Sequence, residues 1–180
     1  SHTAVATVSA VEAVGASPVL VDVESQFYTL NPSQLDEVTT SKTKAVIVVH
    51  LYGQAANMDE IKSFCAKRNL FLIEDVSQAH GAKYNEKRLG SIGDIGCFSC
   101  YPTKNLGAIG DAGLITTNNT NLATKIRMLR EYGWNERISE FSGRNSRLDE
   151  LQAAILRVKL KYLDVDNSKR RKLAEYYSSK

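Results

Sequence analysis

Five consecutive apolar residues, Ala45-Val46-Ile47-Val48-Val49, constrain this chain more than any other stretch. A half-exposed strand alternates apolar and polar residues, whereas an unbroken run suits a parallel strand covered on both faces. Leu70-Phe71-Leu72-Ile73 repeats the pattern and delivers Glu74 and Asp75 at its carboxyl end. Between the two runs, Asn57 and Glu60 have capping-box spacing, which opens a helix turning Ile61, Phe64 and Cys65 inward. Strand, helix, strand is the unit of a parallel sheet.

The same alternation extends along the chain. Ala4 to Gly15 reads as a helix stopped by glycine, and Val19–Val23 as a strand. Asn31-Pro32 opens a short helix, with Asn as cap and Pro at the first position. Ile95–Tyr101 is a strand leading to a turn at Pro102, and Leu114–Thr117 is another. Leu122, Ile126 and Leu129 give Asn121–Tyr132 a helical period ended by Gly133, and the polar stretch Trp134–Arg144 reads as a loop. Ser146 and Asp149 are caps for a long helix with Leu148, Leu151, Ile155, Val158 and Leu163 on one stripe. The expected fold is α/β, a central mixed, mostly parallel sheet flanked by helices. Ligands of such sheets sit at the carboxyl ends of the strands.

Composition excludes several classes. Apolar residues make up 43% and charged residues 24%, as in ordinary soluble domains. No apolar run approaches the ~18 residues that span a bilayer, and no signal sequence opens the chain. A cytoplasmic protein without membrane contact is expected. Arg157–Lys180 carries eight basic and three acidic residues, a local +5 against +3 for the whole chain. With little aromatic interleaving, it reads as a solvated face or a contact with absent flanking sequence, not a nucleic-acid site. Cys97 and Cys100 form a C-x-x-C, but strand alternation puts them on opposite faces and no second pair or His-x-x-x-His follows. They read as buried small hydrophobes, and no metal site is expected.

Two nucleotide readings fail on spacing. Gly107, Gly110 and Gly113 are spaced G-x-x-G-x-x-G rather than G-x-G-x-x-G, and Lys104 lacks the upstream glycine of a phosphate loop. Lys104 with Asp75 offers a different chemistry. A partly desolvated lysine in a turn after a buried strand could attack an aldehyde. A strand-end carboxylate could keep a pyridine nitrogen protonated and make the ring an electron sink. Each also has a plain alternative, a surface turn lysine and a strand-end cap.

Four ordered blocks narrow the choice. They are His50-Leu51-Tyr52-Gly53-Gln54 after Val49; Ile73-Glu74-Asp75-Val76-Ser77-Gln78-Ala79-His80-Gly81; Gly93 to Gly107, which includes Ser99 and Lys104; and Asn145-Ser146-Arg147-Leu148-Asp149-Glu150-Leu151-Gln152-Ala153-Ala154. Together they resemble the DegT/DnrJ/EryC1/StrS aminotransferases, fold-type-I enzymes dependent on pyridoxal 5'-phosphate that aminate nucleotide-linked keto-sugars. The resemblance implies that Lys104 forms the Schiff base with the cofactor and moves protons. It implies Asp75 on the pyridine nitrogen, Gln78 on the phenolic oxygen and Ser99 on the phosphate. Asn145 would reach the phosphate of the neighbouring subunit, so a homodimer with shared active sites is expected.

The implied reaction moves an amino group from an amino acid, expected to be L-glutamate, to a keto-sugar in deoxyamino-sugar biosynthesis such as that of lipopolysaccharide O-antigen. The opening Ser1 to Thr7 is more similar to members that aminate the third sugar carbon than the fourth. Ala4 departs from the aromatic residue that members often use to stack on the cofactor, leaving His2 as a replacement. Residues 1–145 are expected to be the central part of the cofactor-binding large domain, and 146–180 a helical segment leading toward a small domain. As such a fragment, the chain alone is expected to bind cofactor weakly or not at all. Three rivals stay open. In a related dehydratase, histidine replaces the lysine; the others are an NAD-dependent sugar-nucleotide oxidoreductase and a catalytically silent binding module.

Overall fold

A computed structural model of the chain describes residues 2–180, which form two compact units meeting in sequence at Phe98 and Ser99. The first begins with helix α1 (Val5–Glu12), which buries no side chain and gives way to Gly15 at φ +75°. Asn31 caps a 3-10 turn, Pro32–Gln34, by accepting from Ser33 N–H, and α2 (Leu35–Val38) follows.

Strands β1 (Ala45–Val49), β2 (Phe71–Asp75) and β5 (Ile95–Ser99) run parallel. Val49 pairs with Asp75 and Asp75 with Cys97, so one row crosses the carboxyl end. Between β1 and β2 runs α3 (Met58–Arg68). Asn57 Oδ1 accepts from Glu60 N–H and its amide donates to the Glu60 carboxylate, while Asn69 ends the helix in the left-handed region. Met58, Ile61 and Cys65 of α3 are buried with Val46, Val48 and Leu72 of the sheet. Each such side chain contributes about 1.5–3 kcal/mol on leaving water. The short hairpin β3 (Lys83–Tyr84) and β4 (Lys87–Arg88) is antiparallel. The apolar runs are buried on alternate residues, not throughout: Val46, Val48, Leu72 and Glu74 are enclosed, while Ala45, Ile47, Val49 and Asp75 are half-buried.

The expected strand at Val19–Val23 does not form. Its place is taken by an irregular segment with one bridge, Val23 to Leu30. The backbone groups there are satisfied locally. Glu24 N–H donates to Thr29 O, and the Glu24 carboxylate accepts from Gln26 and Phe27 N–H. With Val19 and Leu20 66% and 61% exposed, nothing rewards an extended ladder.

In the second unit, β6 (Gly113–Thr116) precedes α4 (Thr120–Leu129), capped by Asn119, which accepts from Asn121 and Leu122 N–H. Gly133 stops the helix at φ +74°, its N–H on Met128 O. The expected loop contains a hairpin, β7 (Trp134–Asn135) and β8 (Ile138–Ser139). Its turn residues, Glu136 and Arg137, both have positive φ. That turn type normally announces itself with Asn-Gly, and Glu-Arg carries no such signal.

The last stretch is two helices, α5 (Glu150–Leu160) and α6 (Leu163–Ser178), rather than one. Asp149 occupies the cap position without a side-chain bond, and Ser146 instead donates its N–H to Arg130 O. Leu151 and Val158, placed on the inward stripe by their spacing, are 64% and 59% exposed. The inward face carries Gln152, Leu156 and Lys159. Leu156 is buried with Cys100, Leu106 and Ala108, and Leu148 and Leu163 pack against that cluster.

Candidate functional site

Strand alternation decides which of two adjacent carboxylates can act on a ligand. Glu74 falls on the enclosed face, fully buried beside Val48 and Leu72, and Asp75 on the half-buried face. A buried carboxylate must be hydrogen-bonded, and Glu74 is saturated. Oε1 accepts from Ile92 and Gly93 N–H at 2.8 and 2.7 Å, and Oε2 from Gly90 N–H at 2.8 Å and His50 Nε2 at 3.1 Å. Burial pushes its carboxyl up, but the His50 bond and the three backbone bonds outweigh this and hold it below the usual glutamate value. His50 is buried too. Its Nδ1 accepts from Ala56 N–H, so its proton sits on Nε2 and points at Glu74. The pair is structural: it joins the ends of β1 and β2 to the loop entering β5.

Asp75 is left available. Its Oδ2 accepts from Thr7 Oγ1 at 2.8 Å, its Oδ1 from Ser77 N–H at 3.1 Å, and its own carbonyl from His50 N–H. Three residues on, half-buried Gln78 accepts Tyr52 N–H at Oε1, 3.1 Å away. That bond engages the amide oxygen of Gln78, and the donor side of the amide is its Nε2. Tyr52 holds φ +57° and Gly53 +82°, a left-handed pair that brings this amide to Gln78. The Tyr52 hydroxyl meets His2 Nε2 at 2.7 Å, and the His2 ring lies 6.3 Å from that of Tyr28. Ala4 is exposed and presents no ring.

The second unit carries Ser99, Lys104 and Asn145. Ser99, half-buried, ends β5 and accepts Tyr101 N–H at 3.4 Å. Lys104 is half-buried in the turn closed by its N–H on Tyr101 O at 2.9 Å. The turn is held by glycine. A Cβ on Gly107 would lie 2.5 Å from Pro102 O and 3.0 Å from Lys104 O, so no larger residue allows this approach. Ala108 N–H returns to Cys100 O, Lys159 Nζ donates to Gly107 O at 2.6 Å, and Gln152 Oε1 accepts from Ile109 N–H. The glycine-rich stretch is thus a packing device for the lysine turn. Its spacing did not reveal that role, and the polar residues Gln152 and Lys159 on α5 could not be told from solvent-facing ones.

Asn145 stands on a separate element. It is exposed and bridges to Glu131, just past α4. Gly133 and Gly143 pack so closely there that a Cβ on Gly143 would lie 2.1 Å from Gly133 N. Burial, with the charge of Asp75 as a second cause, pushes the Cys97 thiol up; burial alone raises that of Cys100. Both are free, half-buried and buried respectively, and neither is a ready thiolate. Among the described residues there is no cluster able to hold a metal ion, and no helix long and apolar enough to cross a membrane.

Known proteins resemble the chain in sequence and in fold. The chain is 53% identical over 178 residues to the dTDP-3-amino-3,6-dideoxy-alpha-D-galactopyranose transaminase of Aneurinibacillus thermoaerophilus, covering 98% of this chain and 49% of that protein. DesV of S. venezuelae, solved in complex with a ketimine intermediate, superposes with a TM-score of 0.95 at 44% identity, over 99% of this chain and 48% of DesV. NtdA of Bacillus subtilis, solved with bound cofactor PMP, gives 0.90 at 35%, over 98% and 41%. The chain spans about half the length of the curated relatives it matches. The DegT/DnrJ/EryC1/StrS aminotransferase family matches residues 1–180, and the chain belongs to that family.

Proposed function

We propose that the protein is a pyridoxal-phosphate-dependent transaminase acting on a nucleotide-linked 3-keto-sugar in deoxyamino-sugar biosynthesis. The observation that carries this reading is the pairing on the turn after β2. Asp75 offers acceptors, and three residues later Gln78, fixed by Tyr52, offers donors. A protonated ring nitrogen and a phenolic oxygen require that complementary pair, and Lys104 and Ser99 add an amine and a hydroxyl for the aldehyde and phosphate. The residues therefore fit the cofactor. When bound, it supplies the electron sink for amino-group transfer.

Each residue then has one task. Asp75 holds a proton at the ring nitrogen through whichever carboxylate lone pair Thr7 and Ser77 leave open. Gln78 Nε2 donates to the phenolic oxygen. Lys104 Nζ would hold the cofactor covalently and, when free, would carry the proton at the sugar's amino-bearing carbon. Ser99 binds phosphate, and Asn145 serves the phosphate of a second subunit, in a homodimer with shared sites. The donor is an amino acid, L-glutamate, and the two half-reactions give ping-pong kinetics. Relatives named as 3-amino-sugar transaminases support the position of amination. O-antigen assembly and a cytoplasmic setting complete the proposal, with residues 1–145 in the cofactor domain and 146–180 leading from it.

The test is Lys104→Ala in the full chain. Transamination of nucleotide-linked 3-keto-sugars by glutamate, followed by mass spectrometry of product, is expected to fall at least about a thousandfold. Borohydride reduction of the wild type with cofactor is expected to add the cofactor's mass to the peptide containing Lys104. Unchanged turnover in the variant would overturn the reading.

A further inference from the structure

Asp75 is held by two donors of different origin. Ser77 N–H reaches Oδ1 across a local turn, at 3.1 Å. Thr7 Oγ1 reaches Oδ2 from 68 positions away, at 2.8 Å. A threonine within a helix commonly turns its hydroxyl back to a carbonyl one turn earlier. Thr7 instead sends it across to the sheet, although its helix buries no residue and Val5 beside it is 75% exposed. The bond is therefore specific, not a by-product of dense packing. The third neighbour of Asp75 is Cys97 across the register, whose thiol stays neutral because burial and the Asp75 charge both raise it.

We propose that Thr7 is a positioning residue for the reaction: its hydroxyl fixes the plane of the Asp75 carboxylate so that a free lone pair faces the ring nitrogen. A carboxylate held by Ser77 alone can rotate about its last side-chain bond. One held at both oxygens cannot, and each oxygen keeps an acceptor site. This inference rests on the role given to Asp75 above.

The experiment uses the full chain with pyridoxal phosphate and a crossed pair of variants. Thr7→Val keeps the shape and removes the donor; Thr7→Ser keeps the donor and removes a methyl. Cofactor affinity by equilibrium dialysis, the absorption spectrum of the bound cofactor, and the Tm of cofactor-free protein are read for each. Thr7→Val is expected to weaken cofactor binding about tenfold and to change the spectrum, with no more than the modest fall in the Tm of cofactor-free protein that one lost hydrogen bond brings. Thr7→Ser is expected to match the wild type. Wild-type binding and spectrum in Thr7→Val would overturn the inference, as would equal losses in both variants, which would mark a packing role. Asp75→Ala separates the two levels. If it binds cofactor normally, the role of Asp75 itself falls and Thr7 with it; if it does not, while Thr7→Val does, only the Thr7 inference falls.

Discussion

Asp75 ends β2 and Lys104 follows β5, yet different forces hold them. Beneath Asp75 lies a buried charge, Glu74, gathering four donors from two other segments of the chain. Around Lys104 the chain folds back on itself through backbone contact, with Gly107 against Pro102 and Lys159 and Gln152 stitching the loop. The first arrangement is electrostatic and intolerant of a lost partner. The second is steric and intolerant of an added atom. Under the proposed function, an acid to be aimed would benefit from a rigid floor, whereas a lysine that holds and releases would need only its backbone fixed.

Removing the charge should do the most damage. Glu74→Ala leaves the His50 proton and three amides unpaired in the core, and is expected to cost about 3–5 kcal/mol, read by urea or thermal unfolding. A loss below about 1 kcal/mol would deny that the network anchors the sheet end.

Gly107→Ala tests the steric counterpart. Its Cβ would press on backbone, which cannot move aside as a flexible side chain would. About 1–3 kcal/mol of stability should be lost, together with Schiff-base formation at Lys104. Wild-type labelling of Lys104 in this variant would show that the turn tolerates displacement.

Acid distinguishes the regions further. A carboxyl whose folded pKa lies below its unfolded value stabilises the fold above about 4.5, and that stability disappears as pH falls through the lower, folded value. Wild-type stability is expected to decline below about pH 4.5, with Glu74 contributing at most about 1.4 kcal/mol per unit. Glu74→Gln should flatten that part of the curve; an unchanged acid limb would assign it to other carboxyls.

The smallest effect is expected where neither device operates. Asn57→Ala removes the cap of α3 and should cost about 1 kcal/mol without altering cofactor binding. A change in cofactor affinity would mean that α3 is coupled to the site.

Much was legible because it depends on neighbours in sequence. Five apolar residues specified β1, Asn57 and Glu60 specified the start of α3, and the period-two rule separated Glu74 from Asp75 once the strand was placed. Asp75 and Lys104 were raised by their places at strand ends, each with a plain alternative, whereas Gln78, Ser99, Asn145 and the role of every one of them came from the resemblance of ordered blocks. Reading Leu151 and Val158 as inward failed because polar Gln152 and Lys159 make better use of that face, each meeting a backbone group that only the folded loop supplies.

The sequence by itself determined the α/β class, the main strands and helices, and the chemistry on offer, because periodicity and residue type are properties of the chain. Only the tertiary structure decided that Val19–Val23 stays irregular, that His50 carries its proton toward Glu74, and that Thr7 reaches Asp75. Those outcomes depend on which donors and acceptors meet across 68, 24 or six positions of sequence. A hydrogen bond between distant residues is set by where the fold brings them, and no spacing along the chain encodes it.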